Sequence, residues 1–235
     1  MANVFVSWSG GKDCCLAMYR TIKDGHNVKC LASIITEDSG RLWPHMLKPA
    51  VVQLQTEALG IASLSWYAKV ASYNQDYMKM LEHVKNELGL DVGVFGDVSV
   101  GNAKANEHLY WVQEVCRPIG ITPKMPLWGY TREQLLREVI ESGFQVIIIA
   151  AASDNLGPEF LGRRLDYSLL DELKERYQNS SSGDAGYYHT FVLDGPIFKK
   201  RLEIVKSKPI LVKTEVKGHH DIWYLDIEEC RLADK

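Results

Sequence analysis

The feature of this chain that most constrains its fold is a regular alternation of strand-like and helix-like segments over the first hundred residues. Residues 4–8 read VFVSW, a short run that is apolar except for Ser7, and such a run is typical of a buried strand. Residues 12–24 follow with apolar side chains at helical spacing, and Gly25 ends that run. The alternation continues through segments 31–36, 49–59, 62–66, 73–88 and 92–95. It predicts an α/β fold, in which a parallel, twisted sheet of about five strands carries helices on both faces.

The second half of the chain has a different pattern. Helices are predicted over 103–116, 131–142 and 165–177, and a buried strand over 145–151. The Ser/Gly-rich stretch that follows, 178–187, is predicted to be a mobile loop. Beyond it, short alternating runs at 202–205, 210–216 and 222–227 indicate a small antiparallel element. We therefore expect a smaller C-terminal α+β part after the parallel sheet.

Composition and charge exclude several classes of protein. The 235 residues are 46% hydrophobic and 24% charged, which is ordinary for a folded globular chain, and the net charge of −3 gives no strong nucleic-acid signal. The chain lacks an apolar run long enough to span a bilayer, and its first residues lack the pattern of a signal peptide. Its five cysteines include no CxxC pair, which argues against a disulfide framework or structural zinc. We therefore expect a cytoplasmic protein without a membrane partner.

The strongest chemical signal is the sequence SGGKD at Ser9–Asp13, between the first predicted strand and the first predicted helix. Backbone N–H groups at a helix N-terminus favour an anion, and glycines allow a phosphate to approach the backbone closely. Lys12 adds a mobile positive charge. Asp13 is suited either to Mg2+ bound to phosphate oxygens or to the start of a helix, where its charge complements the helix dipole. The spacing differs from both GxxxxGK[ST] and GxGxxG, so neither a Walker A loop nor a dinucleotide site is indicated.

The SGGKD segment resembles the PP-loop of N-type ATP pyrophosphatases, whose pattern is SGGxDS, with Cys14 in place of the last serine. Further segments are similar to the diphthine–ammonia ligase family, and the resemblance covers roughly residues 3–200. The similar segments are Gly96-Asp97-Val98, Glu107-His108, Trp111-Val112, Glu114-Val115-Cys116, Pro126-Leu127-Trp128-Gly129, Leu161-Gly162-Arg163, Leu165-Asp166 and Tyr188–Pro196, which reads YHTFVLDGP.

The resemblance implies a fold like that of the adenine nucleotide alpha hydrolases, with an ATP-binding domain over residues 1–100 and a substrate-side domain over 101–235. The boundary between them is expected between residues 100 and 125. The implied reaction uses ATP and Mg2+ to adenylate the diphthine carboxylate of elongation factor 2, with release of pyrophosphate. Ammonia then displaces AMP and leaves an amide. A homodimer is a further expectation.

The resemblance and the sheet pattern together assign candidate site residues. Asp97 follows an apolar strand, at the sheet edge where ligands of open α/β sheets bind. Glu107, Trp111 and Glu114 have helical spacing and share a face. The expected catalytic residues are Lys12, Asp13, Asp97 and His189, with Asp13 also the Mg2+ ligand. The expected nucleotide-binding residues are Ser9, Gly10, Gly11, Lys12, Asp13, Cys14, Ile34, Gly96 and Asp97. On the substrate side we expect Glu107, His108, Glu114, Asp184, Tyr187, Tyr188, His189 and Thr190.

The chain departs from the family pattern CGExGE[FY]HTF just before His189. Ser182, Asp184 and Tyr187 replace the cysteine and the two glutamates of that pattern. If those acids orient substrate or ammonia, this protein accepts a different carboxylate or nucleophile. Two alternatives therefore stay open beside diphthine amidation. One is a PP-loop adenylating enzyme with another acceptor, such as a tRNA; the other is an ATP- or AMP-binding sensor without catalysis.

Overall fold

The structure is a computed structural model and describes residues 1–99, 105–154, 156–176, 188–213 and 221–235. It divides into two compact units that are interleaved along the chain. Unit 1 comprises residues 1–9, 13–43 and 60–131, and unit 2 comprises residues 10–12, 44–59 and 132–235. The division into separable domains at residues 100–125 stays a prediction; in chain order the last change of unit lies between Thr131 and Arg132.

The strands are β1 Asn3–Ser7, β2 Asn27–Thr36, β3 Ala62–Ala68, β4 Val92–Val94, β5 Thr122–Lys124, β6 Gln145–Ala152, β7 Tyr188–Asp194, β8 Arg201–Val212 and β9 Ile222–Ala233. The helices are α1 Lys12–Lys23, α2 Pro49–Leu59, α3 Tyr73–Leu88, α4 Ala105–Cys116, α5 Arg132–Glu141 and α6 Tyr167–Arg176.

Unit 1 is built on a five-stranded sheet in which all paired strands are parallel. The strand order is β3-β2-β1-β4-β5. Strands β2 and β3 follow one another on one side of β1, and β4 and β5 then lie on the opposite side of β1. Ligands of open α/β sheets bind at such a switch point, beyond the carboxyl ends of the strands. The SGGKD segment follows β1 and Gly96-Asp97 follow β4, so both lie at this edge.

Helices α3 and α4 cover one face of the unit 1 sheet through a shared apolar cluster. Phe5 of β1 and Phe95 after β4 meet edge-to-face, with ring centroids 6.3 Å apart. Met80 and Leu81 of α3 and Val112 of α4 are fully buried in the same cluster. Burial of large apolar side chains contributes about 1.5–3 kcal/mol each, which is enough to fix the sheet edge that presents the loops.

Unit 2 contains a four-stranded sheet with the order β7-β6-β9-β8, and all of its pairings are antiparallel. Strand β6 is almost continuously apolar and buried because it is an interior strand, paired with β7 on one side and β9 on the other. Strand β7 carries the HTF sequence, and Phe191 and Val192 within it are fully buried. The predicted class, a parallel α/β sheet with a smaller C-terminal α+β part, is confirmed.

The sequence patterns located the helices well, but they divided one long antiparallel strand into two shorter runs. The predicted runs 202–205 and 210–216 both fall, as far as the described residues go, in the single strand β8, Arg201–Val212, which pairs antiparallel with β9. Its pairing with β9 shifts register around Lys206, and a bulge of this kind breaks the alternation that marks a strand in sequence. The strands β5 and β7 were not predicted as strands.

None of the helices among the described residues is long and apolar enough to cross a membrane.

Candidate functional site

The SGGKD segment forms the turn from β1 into α1, and Gly96 packs tightly against its end in unit 1. A Cβ atom on Gly96 would lie 2.7 Å from the backbone nitrogen of Cys14 and 2.8 Å from the carbonyl carbon of Asp13. Both neighbours are backbone atoms, so they cannot rotate away as a side chain can. Gly96 therefore allows the chain after β4 to lie directly on the first turn of α1.

The thiol of Cys14, which stands where the PP-loop pattern has serine, lies beside Ser9 in unit 1. Ser9 Oγ donates a hydrogen bond to Cys14 Sγ at 3.5 Å. Burial raises the pKa of the Cys14 thiol, but hydrogen bonds from Cys15 and Ser9 more than offset it, so the net pKa is lowered. Cys14 is buried, with 4% of its surface exposed. The substitution thus keeps a polar contact with Ser9 across the loop.

Gly10 belongs to unit 2, where it is held by the buried side chain of Gln55. Gln55 Nε2 donates to the carbonyl oxygens of Gly10, at 3.0 Å, and Val192, at 2.7 Å. The Val192 backbone N–H also donates to the Gly10 oxygen at 3.1 Å. Gly10 has φ +78°, and a Cβ there would lie 2.8 Å from Gln55 Oε1. Strand β7 and Gln55 together set the conformation of the loop at Gly10.

Lys12 is the residue of unit 2 at which α1 begins, and Thr190 of β7 caps it. The Lys12 backbone N–H donates to Thr190 Oγ1 at 3.0 Å, which satisfies one of the four N–H groups that a helix leaves without an intrahelical partner. The Lys12 side chain is only 9% exposed, and its Nζ lies 5.3 Å from the ring centroid of Tyr188. Three predicted residues, Lys12, Tyr188 and Thr190, are thus brought together.

His189 of unit 2 pairs with a residue that the sequence did not single out. Its ring centroid lies 4.8 Å from that of His45, and the two planes are tilted by 49°. His45 Nε2 lies 2.8 Å from the position that a Cβ of Gly11 would occupy. Burial first, and the nearby charges of His189 and Lys12 second, hold the pKa of His45 well below its usual range. His45 is therefore neutral at physiological pH. Below about pH 6.5 the unfolded chain takes up a proton at His45 that the folded protein does not, so this residue lowers the stability of the fold as the pH falls.

Asp97, predicted on the nucleotide side, and His108, predicted on the substrate side, form an ion pair in unit 1. His108 Nδ1 lies 3.1 Å from Asp97 Oδ1, and the two side chains are 67% and 23% exposed respectively. The hydrogen bond to Asp97 raises the pKa of His108 above its usual range, against a smaller opposing effect of burial. The pair is therefore formed below pH 6.5 and weakens as the pH rises through the raised pKa.

Replacing Asp97 by asparagine is expected to lower the pKa of His108 back toward its ordinary value, because the charged acceptor of the hydrogen bond is lost. An NMR titration of the His108 ring measures this shift. Glu107→Gln is the matched control, since Glu107 contributes only the smallest of the recorded effects on His108. A His108 pKa that is the same in Asp97→Asn and in the unaltered protein would contradict the pairing.

The remaining predicted residues of unit 1 lie either at the protein surface or in its apolar core. Glu107 and Glu114 are exposed on α4, whereas Trp111 between them packs on Tyr77 at 4.8 Å between ring centroids and donates Nε1–H to Asn74. The shared face predicted for these three is thus divided between solvent and core. Ile34, on β2, is 8% exposed and belongs to the apolar cluster.

Asp184 and Tyr187, with the predicted mobile loop 178–187, lie outside the described residues.

Asp13 is the one predicted metal ligand, and its surroundings suit magnesium bound to phosphate. The carboxylate lies in the first turn of α1 and is partly exposed. Among the described residues no group of three or more His, Cys, Asp or Glu side chains is placed to hold a metal ion. Mg2+ typically uses one or two carboxylates together with substrate phosphates and water, so a single carboxylate at a phosphate loop fits this ion.

The sequence analysis did not identify His45 or Gln55 as site residues, although the helical spacing around Gln55 could have indicated it. Val51, Gln55 and Leu59 have the spacing of one helix face, and Gln55 is the polar member of a stripe that is otherwise buried and apolar. A fully buried glutamine needs hydrogen-bond partners, which in this fold are the Gly10 and Val192 carbonyls. His45 lies in an irregular segment before α2, where no periodicity distinguishes it.

Comparison with known protein families gives two adjoining matches. The sequence model described as the diphthamide synthase N-terminal domain matches residues 2–123, and that of the diphthamide synthase C-terminal domain matches residues 131–232. The two matches together span nearly the whole chain, and both belong to the same family of proteins.

Individual relatives from the same family are similar to the chain over most of its length. The chain is 31% identical to diphthine–ammonia ligase of Danio rerio over 86% of each protein. It is 30% identical to diphthine–ammonia ligase of Homo sapiens, over 97% of this chain and 91% of that protein. Among solved structures, one described as a "predicted subunit of tRNA methyltransferase from Methanocaldococcus jannaschii" aligns with a TM-score of 0.46 and 18% identity, over 83% of this chain and 98% of that one.

Proposed function

Because this chain belongs to the diphthine–ammonia ligase family and is a ligase, we propose that it uses ATP to activate a carboxylate and ammonia to convert it into an amide. The observation that carries the proposal is the SGGKD segment. In unit 1, Ser9 follows β1 at the switch point of the parallel sheet. In unit 2, Gln55 and Thr190 hydrogen-bond to Gly10 and Lys12 of the segment. The acceptor that the family implies is the diphthine side chain of elongation factor 2. A cytoplasmic location belongs to the same proposal, because elongation factors work at cytoplasmic ribosomes.

The loop residues have distinct roles in this proposal. Backbone N–H groups of the loop and of the first turn of α1 hold the phosphates, with the helix dipole favouring their negative charge. Lys12 places its ammonium beside the phosphates in a largely buried position, where the attraction is stronger than in water. Asp13 would hold Mg2+, and the ion would supply positive charge against the phosphate oxygens.

Two bond exchanges complete the reaction. A carboxylate oxygen of the acceptor attacks the α-phosphorus of ATP, the bond to the bridging oxygen breaks, and pyrophosphate leaves with the electron pair. Lys12 and the loop N–H groups stabilise the charge that develops on this leaving group. Ammonia then attacks the acyl carbon, AMP leaves, and the nitrogen loses a proton to give the neutral amide. His189 is a candidate for accepting that proton, since it lies on the β7 strand that caps the loop.

The experiment that tests this proposal is ATP–pyrophosphate exchange in the presence of Mg2+, with and without diphthine-bearing elongation factor 2. Exchange that requires the elongation factor is the expected result, and ammonium should then give AMP and the amide in equal amounts. A matched control uses elongation factor 2 that lacks the diphthine modification, which should support no exchange.

Other outcomes overturn parts of the proposal separately. ATP binding without exchange on the elongation factor would reject diphthine as the acceptor and retain the nucleotide site. Exchange stimulated by tRNA, lost with added salt, would transfer the acceptor assignment to a nucleic acid. Failure to bind ATP at all would reject the loop as a nucleotide site.

A further inference from the structure

His45 occupies the space that the missing side chain of Gly11 leaves beside the loop. Its Nε2 lies 2.8 Å, and the Thr190 carbonyl oxygen 3.2 Å, from the position of a Cβ on Gly11. Gly11, His45 and Thr190 all belong to unit 2, so this arrangement is internal to one compact body. A polar ring atom thus lies against the backbone of the segment that is proposed to hold phosphate.

The two ring nitrogens of His45 have different surroundings. Nδ1 is buried and has no hydrogen-bond partner among the described residues, whereas Nε2 lies against the loop. A neutral imidazole carries one N–H donor and one acceptor, and a buried N–H without a partner is rarer in folded proteins than a buried acceptor without one. The tautomer that leaves only an acceptor unpartnered at Nδ1 places the proton on Nε2, which makes Nε2 a donor beside the loop.

Burial first, and the charges around His45 second, keep the ring in this neutral form. Lys12 and the His189 ring, 4.8 Å away between centroids, oppose a second positive charge there. An imidazolium would also carry a proton on the buried Nδ1, which has no acceptor among the described residues. A neutral N–H donor beside the Lys12 ammonium complements a phosphate oxygen without adding a competing charge.

We propose that His45 is a phosphate-binding residue of this enzyme, which donates its Nε2–H to the polyphosphate of ATP at the loop Gly10–Lys12. The inference rests on the proposed nucleotide site and adds a residue to it. In this arrangement the phosphate meets one charged donor, Lys12, and one neutral donor, His45, from the same unit.

Amide side chains distinguish the two ring nitrogens. The side-chain nitrogen of glutamine reaches the position of Nε2, and that of asparagine reaches only the position of Nδ1. Phenylalanine keeps a ring beside His189 and removes both nitrogens. The experiment measures the affinity for ATP with Mg2+, and for pyrophosphate, by calorimetry on the full chain carrying His45→Gln, His45→Asn or His45→Phe. Circular dichroism and the melting temperature report whether each variant is folded.

The expected result is a selective loss of affinity. His45→Phe and His45→Asn should weaken binding of both probes by about tenfold or more, the effect of losing one hydrogen bond to a charged group, and His45→Gln should stay within about threefold of the unaltered protein. His26→Phe is the matched control. His26 also has a buried Nδ1 without a described partner, but it precedes β2, at the opposite edge of the sheet from the loop.

Three outcomes would overturn the inference, and they are distinguishable. Equal ATP affinity in folded His45→Phe and the unaltered protein rejects a phosphate contact by His45 while leaving the nucleotide site intact. Asparagine preserving affinity where glutamine does not would assign the contact to Nδ1 and reject the tautomer argued above. If the unaltered protein binds neither probe, the proposed nucleotide site fails and this inference fails with it.

Discussion

Lys12→Ala is expected to weaken ATP binding by about tenfold to a hundredfold and to reduce pyrophosphate exchange by about a hundredfold to a thousandfold. Lys12 is 9% exposed, so water has little access to replace its ammonium beside a phosphate. The larger effect on exchange arises because the charge on pyrophosphate increases as the bond to the α-phosphorus breaks. Calorimetry with ATP and the exchange assay measure the two effects.

Lys23→Ala is the matched control for this substitution, because Lys23 is exposed in the last turn of the same helix. It removes the same charge from the chain and should leave ATP affinity and exchange unchanged. Equal ATP affinity in Lys12→Ala and Lys23→Ala would show that Lys12 does not contact the nucleotide.

Gly96→Ala is expected to destabilise the protein and to weaken ATP binding together. The added methyl group would lie 2.7–2.9 Å from three backbone atoms of Asp13 and Cys14, so the chain after β4 or the start of α1 has to move. Overpacking against atoms that cannot rotate away costs about 3 kcal/mol, which for a chain of this size lowers the melting temperature by about 6–12 °C. ATP affinity should fall because the first turn of α1 is displaced.

Gly25→Ala is the control that separates the loss of stability from the loss of ATP affinity. Gly25 has φ +82° and open space around its Cβ position, so alanine there costs backbone strain alone, about 1–2 kcal/mol. This control should lower the melting temperature and leave ATP affinity unchanged, because Gly25 follows the other end of α1. Unchanged ATP affinity in a folded Gly96→Ala protein would mean that the contact with the loop does not hold the nucleotide site.

The elements that the sequence predicted well are those whose signal is local. The predicted helix over residues 73–88 coincides with α3, and the strand-like run at 92–95 differs from β4 by one residue. In both, apolar spacing within the segment decides the structure and the neighbouring chain only buries it. The SGGKD loop belongs to the same group, since glycines between a strand and a helix are visible in a few consecutive residues.

The elements that were missed depend on partners far away in the chain. Strand β7 lies beside β6, whose paired residues are 37 to 49 positions earlier in the chain, and also supplies the Val192 and Thr190 contacts to Gly10 and Lys12. Nothing in the local pattern of β7 identifies those partners. The interleaving of units, which places α2 with unit 2 although it lies in sequence between two strands of unit 1, has the same origin.

The sequence by itself determined the class of fold, the position of the SGGKD loop and the family to which the chain is similar, because short-range periodicity and a five-residue motif carry that information. Only the tertiary structure placed His45 beside Gly11, Gln55 beneath Gly10 and Thr190 at the first turn of α1. These contacts join residues up to 178 positions apart, and they form because a buried glutamine, a helix N-terminus and a glycine without a side chain each require a partner that the local chain does not supply.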